Sequence, residues 1–309
     1  MLPAPQPIGE KHSKKSMYKR NVRLKKSDLI AAILLLIVAA AIYYRVEIGL
    51  HYTWNWDKIP QFLFRFDEES GKWVSNVLMW GLFNTIRLSI FGTILAIILG
   101  TVMGICRSSK VVFFRLISAT YVETMRNLPP LVTIFIVYFF IGNNLLPYSG
   151  IGDALQGKDN LLVSVITFCL APPEQLTTFL SALFTLAIFE GAYITEIVRA
   201  GIQSIRKGQW EAAYSLGLTK YQQMRYIILP QAFRRILPPL AGQFISLIKD
   251  SSIVSVISIP ELSFRASELM TGTLLTMEIW ITVTIMYLML TLPCSLAIQK
   301  LEDRLNAGA

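Results

Sequence analysis

Charge is scarce in this chain. Of 309 residues only 16% are Asp, Glu, Lys or Arg, and 53% are hydrophobic. A soluble domain of this length carries roughly a quarter charged residues. Histidine is scarcer still: His12 and His51 are the whole stock, and both stand alone in expected loops. They exclude a His-centred zinc site and a Ser/His/Asp catalytic set. Three cysteines, Cys106, Cys169 and Cys294, are odd in number and widely spaced, which fits no metal pattern. Cys106 and Cys294 lie in or beside apolar runs and read as small core fillers. No G-x-x-x-x-G-K-[ST] phosphate loop occurs, so ATP is not bound here in the P-loop manner. Catalytic and metal-ligating residues are therefore expected to be absent, which argues against a membrane-embedded protease or lipid transferase.

Long apolar runs are what the chain has. Crossing a bilayer as a helix takes about 20 apolar residues. Six runs approach or exceed that: 29–44, 77–105, 121–141, 176–198, 236–257 and 278–298. The first extends through Val46, and Pro129-Pro130 interrupts the third. The run 161–170 is too short to span and is closed by Pro172-Pro173, so it reads as an extracytoplasmic element or helix cap. The expected fold is an all-α membrane protein with six transmembrane helices.

Charge placement tests that count. Lys11, Lys14, Lys15, Lys19, Arg20, Arg23, Lys25 and Lys26 precede the first run. The loop 107–115 is basic, and Arg206, Lys207, Lys220, Arg225, Arg234 and Arg235 follow the fourth run against Glu211 alone. Residues 45–76 instead carry Glu47, Asp57, Asp67, Glu68 and Glu69, and residues 143–175 hold one base, Lys158. Basic residues are retained on the cytoplasmic side. Every loop agrees with six spans and both termini cytoplasmic. The net charge of +9 then marks topology and contact with anionic membrane lipid, with no need for nucleic acid.

The expected organisation is a basic cytoplasmic tail over 1–28, a retained anchor over 29–46 and an extracytoplasmic segment over 47–76. A permease-like core follows over 77–299, with an insertion at 143–175, a cytoplasmic loop at 200–235 and a tail over 300–309. No A-x-A-like cleavage site follows the first apolar run, so it is expected to stay as an anchor and not to be removed as a signal. The polar start of the tail reads as disordered. Trp54, Trp56, Phe62, Phe64 and Trp73 crowd the segment before the second run and are expected at headgroup level.

The most specific stretch is EAAYSLGLTKYQQMRYIILP at 211–230. A glycine halfway along a helix-forming run permits a sharp turn between two short helices. This stretch resembles the EAA loop of bacterial ABC-transporter permeases, where the ATPase docks. Further runs are similar to the polar amino-acid branch of those permeases, the histidine/glutamine permease group. They are GLFNTIRLSIFG at 81–92, ETMRNLPPLVTIF at 123–135, GAYITEIVRAGIQSI at 191–205, LPQAFRRILPPL at 229–240 and KDSSIVSVISIPEL at 249–262. Together they cover about 81–299. The chain departs from the pattern at Asn127-Leu128-Pro129, where Gly-Thr-Pro is frequent, and at Thr133, where Gln is usual.

The resemblance implies a type-I importer permease: five core helices, here preceded by one N-terminal anchor, in the bacterial cytoplasmic (inner) membrane. It implies a cytoplasmic ABC ATPase dimer holding ATP and Mg, with no cofactor in this chain. A second permease subunit (copy or paralogue), an extracytoplasmic substrate-binding protein and an amino-acid substrate complete the set. Glu211, Ala212, Ala213, Gly217, Ile227, Leu229 and Pro230 match the coupling motif, with Tyr214, Leu216 and Leu218 expected to fill a groove on the ATPase.

Ionisable groups inside spans are costly and point to function. Arg87 sits a few turns into the second run. Glu123 and Arg126, three apart, can neutralise each other, as can Glu196 and Arg199. Glu190 lies about 15 Å from its cytoplasmic helix end, at 1.5 Å per residue. An amino acid brings an ammonium and a carboxylate, and Pro129-Pro130 can free backbone groups to meet them. The expected substrate pathway is Arg126, Pro129, Glu190, Tyr193 and Lys249. A lone carboxylate such as Glu190 also suits an ion-coupled secondary transporter, but the EAA-like loop and the lack of a visible inverted repeat oppose that.

Overall fold

The computed structural model describes residues 26–45, 52–142, 144 and 161–307. Both histidines, most of the basic tail and most of the 143–175 insertion lie outside the described residues. The chain divides into two compact units, residues 1–54 and 55–309. In the first, α1 (Lys26–Tyr44) is a 19-residue apolar helix.

The second unit opens with a 3-10 turn, α2 (Ile59–Leu63) and a hairpin of β1 (Phe64–Asp67) and β2 (Lys72–Ser75). Then come α3 (Val77–Arg107), α4 (Val112–Asn127) and α5 (Pro130–Val137), which runs into a π turn at Tyr138–Gly142. The order continues with α6 (Leu161–Cys169), α7 (Pro173–Gln203), α8 (Lys207–Ser215) and α9 (Lys220–Gln222). A π turn at Gln223–Ile228 leads into α10 (Leu229–Asp250), a 3-10 turn at Ser251–Ile257, α11 (Leu262–Thr273) and α12 (Thr276–Ala307).

Among the described residues four helices are long and apolar enough to cross a membrane: Val77–Arg107, Pro173–Gln203, Lys220–Ile257 and Thr276–Arg304. Shorter apolar helices occur at Leu29–Val38 and Pro130–Phe140. The protein is thus a mostly helical membrane protein, but not wholly α: the antiparallel hairpin pairs Phe64 with Ser75 and Phe66 with Trp73. These strands are four residues each, too short for hydropathy to separate from loop. The run 121–141 is not one helix. α4 starts at Val112, and Leu128 (ψ 148°) and Pro129 (ψ 134°) are extended before α5 begins. A proline disfavours helical geometry in the residue before it, and Pro129-Pro130 break the run here, although Pro238-Pro239 sit within α10. α11 lies between the fifth and sixth apolar runs, where Ser, Glu and Thr residues dilute the apolar signal.

Helix α7 is the centre of the unit: 67% of its apolar window is buried, against 33% or less for the other three. α3 packs closest to it. A Cβ on Gly100 would fall 2.6 Å from Ile194 Cβ, and one on Gly104 would fall 2.7 Å from Val198 Cβ. Several hydroxyls inside the bundle are satisfied locally. Ser89, Thr185, Thr195 and Thr282 each donate to the carbonyl four residues earlier at 2.7 Å. The opposite side of α3 exposes Trp80, Phe83, Ile90, Ile94, Ile98, Val102 and Ile105. Steps of three, four and seven make that a single stripe fit for lipid.

At the Val77 end, Ile59 joins a cluster with Leu78, Leu262, Leu275 and Ile279. The Asn55 N–H donates to Glu278 Oε1 at 2.7 Å. Glu261 is fully buried and caps α11, accepting from the Phe264 N–H and the Tyr287 hydroxyl, each at 2.8 Å. Thr85 of α3 also donates to it, at 3.3 Å. One carboxyl therefore ties α3, α11 and α12 together.

Candidate functional site: an interhelical hairpin and a buried polar cluster

The segment between α7 and α10 is a hairpin closed by local hydrogen bonds. α8 ends with Gly217 at φ +71°, its N–H donating to the Tyr214 carbonyl at 2.9 Å, and the Leu218 N–H reaching Ala213 O at 3.3 Å. That pair is the Schellman arrangement, which needs a left-handed residue at the glycine position. The chain restarts at once. Thr219 and Gln222 form a reciprocal capping box, with bonds of 2.9 and 3.3 Å. Gln223 turns inward and donates to Leu218 O at 2.8 Å.

One side of the hairpin is seated on the bundle. Ile205, Ile228 and Ala232 are buried with Val198 and Ile202 of α7, and Trp210, Met224 and Ile227 pack against them; Ala213 is buried as well. Gln231 Nε2 donates to Gln209 Oε1 at 3.1 Å, and Arg235 donates to the Ser204 carbonyl. The other side is bare: Tyr214, Leu216, Tyr221 and Tyr226 are between 65% and 77% exposed. Of the motif residues, Glu211, Ala212, Gly217 and Pro230 are exposed, Ile227 and Leu229 are half-buried, and Ala213 is buried. Leu218, expected on the docking side, is half-buried and helps close the hairpin.

The second site lies on α7. Glu190 is fully buried and accepts from Gln243 Nε2 of α10. Its other oxygen accepts no hydrogen bond among the described residues, and the Asp250 carboxyl lies close by. One turn on, the Tyr193 ring packs edge-on to Phe189, with centroids 5.4 Å apart, and carries the Arg126 guanidinium 5.5 Å from its centroid. Tyr121 donates to the Ile188 carbonyl at 2.6 Å beside Glu190. Arg126, Glu190 and Tyr193 thus meet in space, on α4 and α7. Pro129 and Lys249 are exposed and lie outside the cluster.

The expected Glu123–Arg126 ion pair is not formed among the described residues. Glu123 instead accepts from Arg107 at 3.1 Å and from Asn127 at 3.1 Å, which frees Arg126 for Tyr193. Glu196 does pair with Arg199 at 2.7 Å, and also with Arg107 at 2.9 Å. The three cysteines are free and half-buried.

Residues 92–307 match the family model described as the binding-protein-dependent transport system inner membrane component. The chain belongs to this family. It is 34% identical over 231 residues to the probable glutamine ABC transporter permease protein GlnM of Bacillus subtilis (strain 168), covering 75% of this chain and 94% of that one. It is 35% identical over 190 residues to the glutamine transport system permease protein GlnP of Escherichia coli (strain K12), covering 62% and 75% respectively. Among solved structures, a crystal structure of an amino acid ABC transporter with histidines aligns at a TM-score of 0.62. That alignment has 28% identity and covers 82% of this chain and all of that one.

For this inner membrane component, the contacts of three residues had no signal in the sequence. Gln243 and Asp250 lie on one helix, and only folding sets them against Glu190. Glu261 lay in a recognised run, but its role as a cap joining three helices had no local signature beyond a carboxylate three residues before Phe264.

Proposed function

We infer that this chain is the membrane-spanning permease subunit of an ABC importer for polar amino acids. Family membership and the glutamine-permease relatives support it over ion-gradient coupling. The observation that carries it is the hairpin: a rigid element seated on α7 and α10, with an exposed Tyr/Leu edge and no ATP-binding motif of its own in the chain. Such an element transmits a push from a separate motor. A cytoplasmic ATPase dimer, holding ATP and Mg, grips Tyr214 and Leu216 beside Glu211 and Ala212. Ala213, Ile227 and Leu229 carry the movement into the bundle, Gly217 shapes the turn, and Pro230 opens α10.

The topology that suits this role has six spans and both termini cytoplasmic. α1 serves as the anchor, and the broken pair α4–α5 completes a five-helix core with the four long helices. An extracytoplasmic binding protein hands over the substrate, and a second permease subunit, copy or paralogue, lines the other half of the path. In this half Arg126 and Tyr193 face the substrate carboxylate, and Glu190 with Asp250 faces its ammonium. Pro129 and Lys249, exposed in one subunit, come to the path where the second subunit meets it.

The test is uptake of labelled amino acids into vesicles carrying the chain, its ATPase, its partner permease and the binding protein. Uptake is expected only with ATP inside and all components present. Accumulation without the ATPase, driven by an ion gradient, would overturn the reading.

A further inference from the structure

We propose that the aromatic face of the β1–β2 hairpin rests in the lipid headgroup layer at the Val77 end of α3. The proposal needs only that the chain spans a bilayer, which the fold already requires, and not the transport reading.

The register sorts the hairpin into two faces. Residues paired across an antiparallel ladder share a face, and alternate residues share it too. Phe64, Phe66, Trp73 and Ser75 therefore lie on one side, and Arg65, Asp67, Lys72 and Val74 on the other. The first side is aromatic and uncovered: Phe64 is 44%, Phe66 54% and Trp73 71% exposed. Phe66 and Trp73 pack edge to face, with centroids 5.7 Å apart. The tip, with Glu68, Glu69 and Ser70, is exposed and charged.

A two-stranded hairpin this short is marginal in water unless something covers its apolar face. Among the described residues nothing does so. The hairpin is held by its base, where Asn76 Nδ2 donates to Gln61 O at 2.6 Å and the Asn76 N–H donates to Leu63 O at 2.9 Å. Ile59 and the Asn55–Glu278 bond fix the segment before it, so the aromatic rings do not turn back into the core.

Continuity says what the cover is. The Trp80 indole N–H donates to the carbonyl of Ser75, the last residue of β2, at 3.1 Å. Trp80 also packs edge-on to Phe83, with centroids 6.2 Å apart, and the two begin the lipid-facing stripe of α3. The row Phe64, Phe66, Trp73 thus prolongs a lipid-facing band at the level where that band leaves the hydrocarbon. Trp and other amphipathic rings favour this depth, where one edge is apolar and the other wet. The charged face then looks to water, and the hairpin acts as a foot setting the depth of the α3–α11–α12 module.

The test is an accessibility scan of the full chain reconstituted in vesicles of phosphatidylethanolamine and phosphatidylglycerol. Cys106, Cys169 and Cys294 are replaced, and nitroxides are attached one at a time at Arg65→Cys, Phe66→Cys, Lys72→Cys and Trp73→Cys. The ratio of collisions with oxygen to collisions with a water-soluble nickel chelate is expected to alternate, several-fold higher at 66 and 73 than at 65 and 72. Full nickel access at all four overturns the proposal. So does shielding of 66 and 73 from both reagents, which would mean a protein covers that face, whether a second copy or a binding protein. If the labels disturb the hairpin, the native ring decides. A headgroup-spin-labelled lipid must quench tryptophan emission more in the unmodified chain than in Trp73→Phe, and equal quenching overturns the proposal. Neither readout uses transport, so failure here leaves the permease reading standing.

Discussion

Gly217 shows how one residue shapes a turn. Its φ of +71° is left-handed, and nothing lies within 4 Å of where a Cβ would be. Any effect of substitution is therefore conformational and not steric. Gly217→Ala is expected to cost about 1–2 kcal/mol at the turn, the usual penalty for an L-residue in left-handed geometry. It should lower co-purification of the ATPase, whereas Gly217→Asn, whose side chain tolerates this region, should restore most of it. Equal loss in both would mean the turn geometry is not what the partner reads. Glu190 makes the complementary case inside the bundle. Glu190→Gln keeps the shape and a contact to Gln243 but removes the charge beside Asp250. Uptake is expected to fall several-fold while ATPase binding is unchanged; full uptake would remove Glu190 from the path. Sequence singled out the charge at 190, which the fold buries, but it paired Arg126 with Glu123 by spacing alone. Arg107 of another helix won that carboxylate, and spacing along one helix cannot see such a competitor.

Among the elements, α3 and α7 carry the packing. Gly100 and Gly104 let their axes approach, and a Cβ at either would overlap Ile194 or Val198. Gly100→Leu should destabilise by at least about 1–3 kcal/mol, the range for overpacking a close-packed site. Gly272→Ala, with nothing within 4 Å of its Cβ site, should leave the melting temperature of the solubilised protein unchanged or slightly raised. Equal melting of the two variants would show that the helices relax apart at no cost. The long apolar helices were legible because each satisfies its own backbone and needs only length and hydropathy to be recognised. Their ends were not: α7 runs to Gln203 and α12 to Ala307, since turns beyond the apolar stretch carry polar side chains. α4, α11 and the β hairpin escaped for the same reason, being amphipathic or short.

For the whole molecule, the question is which side each end faces. Basic residues cluster in the hairpin loop between α7 and α10, and acidic ones in the β1–β2 turn. Ser215→Cys, in that loop, should resist an impermeant maleimide on intact cells and react after permeabilisation. Ser70→Cys, at the tip of the β hairpin, should react at once. The reverse pattern would invert the topology and take the hairpin away from any cytoplasmic ATPase.

Local pattern alone determined that this is a membrane protein and where the cores of its four long apolar helices run. Those properties depend on stretches of one or two dozen residues meeting the same solvent. Only the tertiary structure decided which polar groups meet inside. Glu190 finds Gln243 across 53 positions and Glu278 finds Asn55 across 223, through packing that brings distant turns of different helices to one place. Side chains buried in a bundle must satisfy each other, and the partner is chosen by the geometry of the whole set.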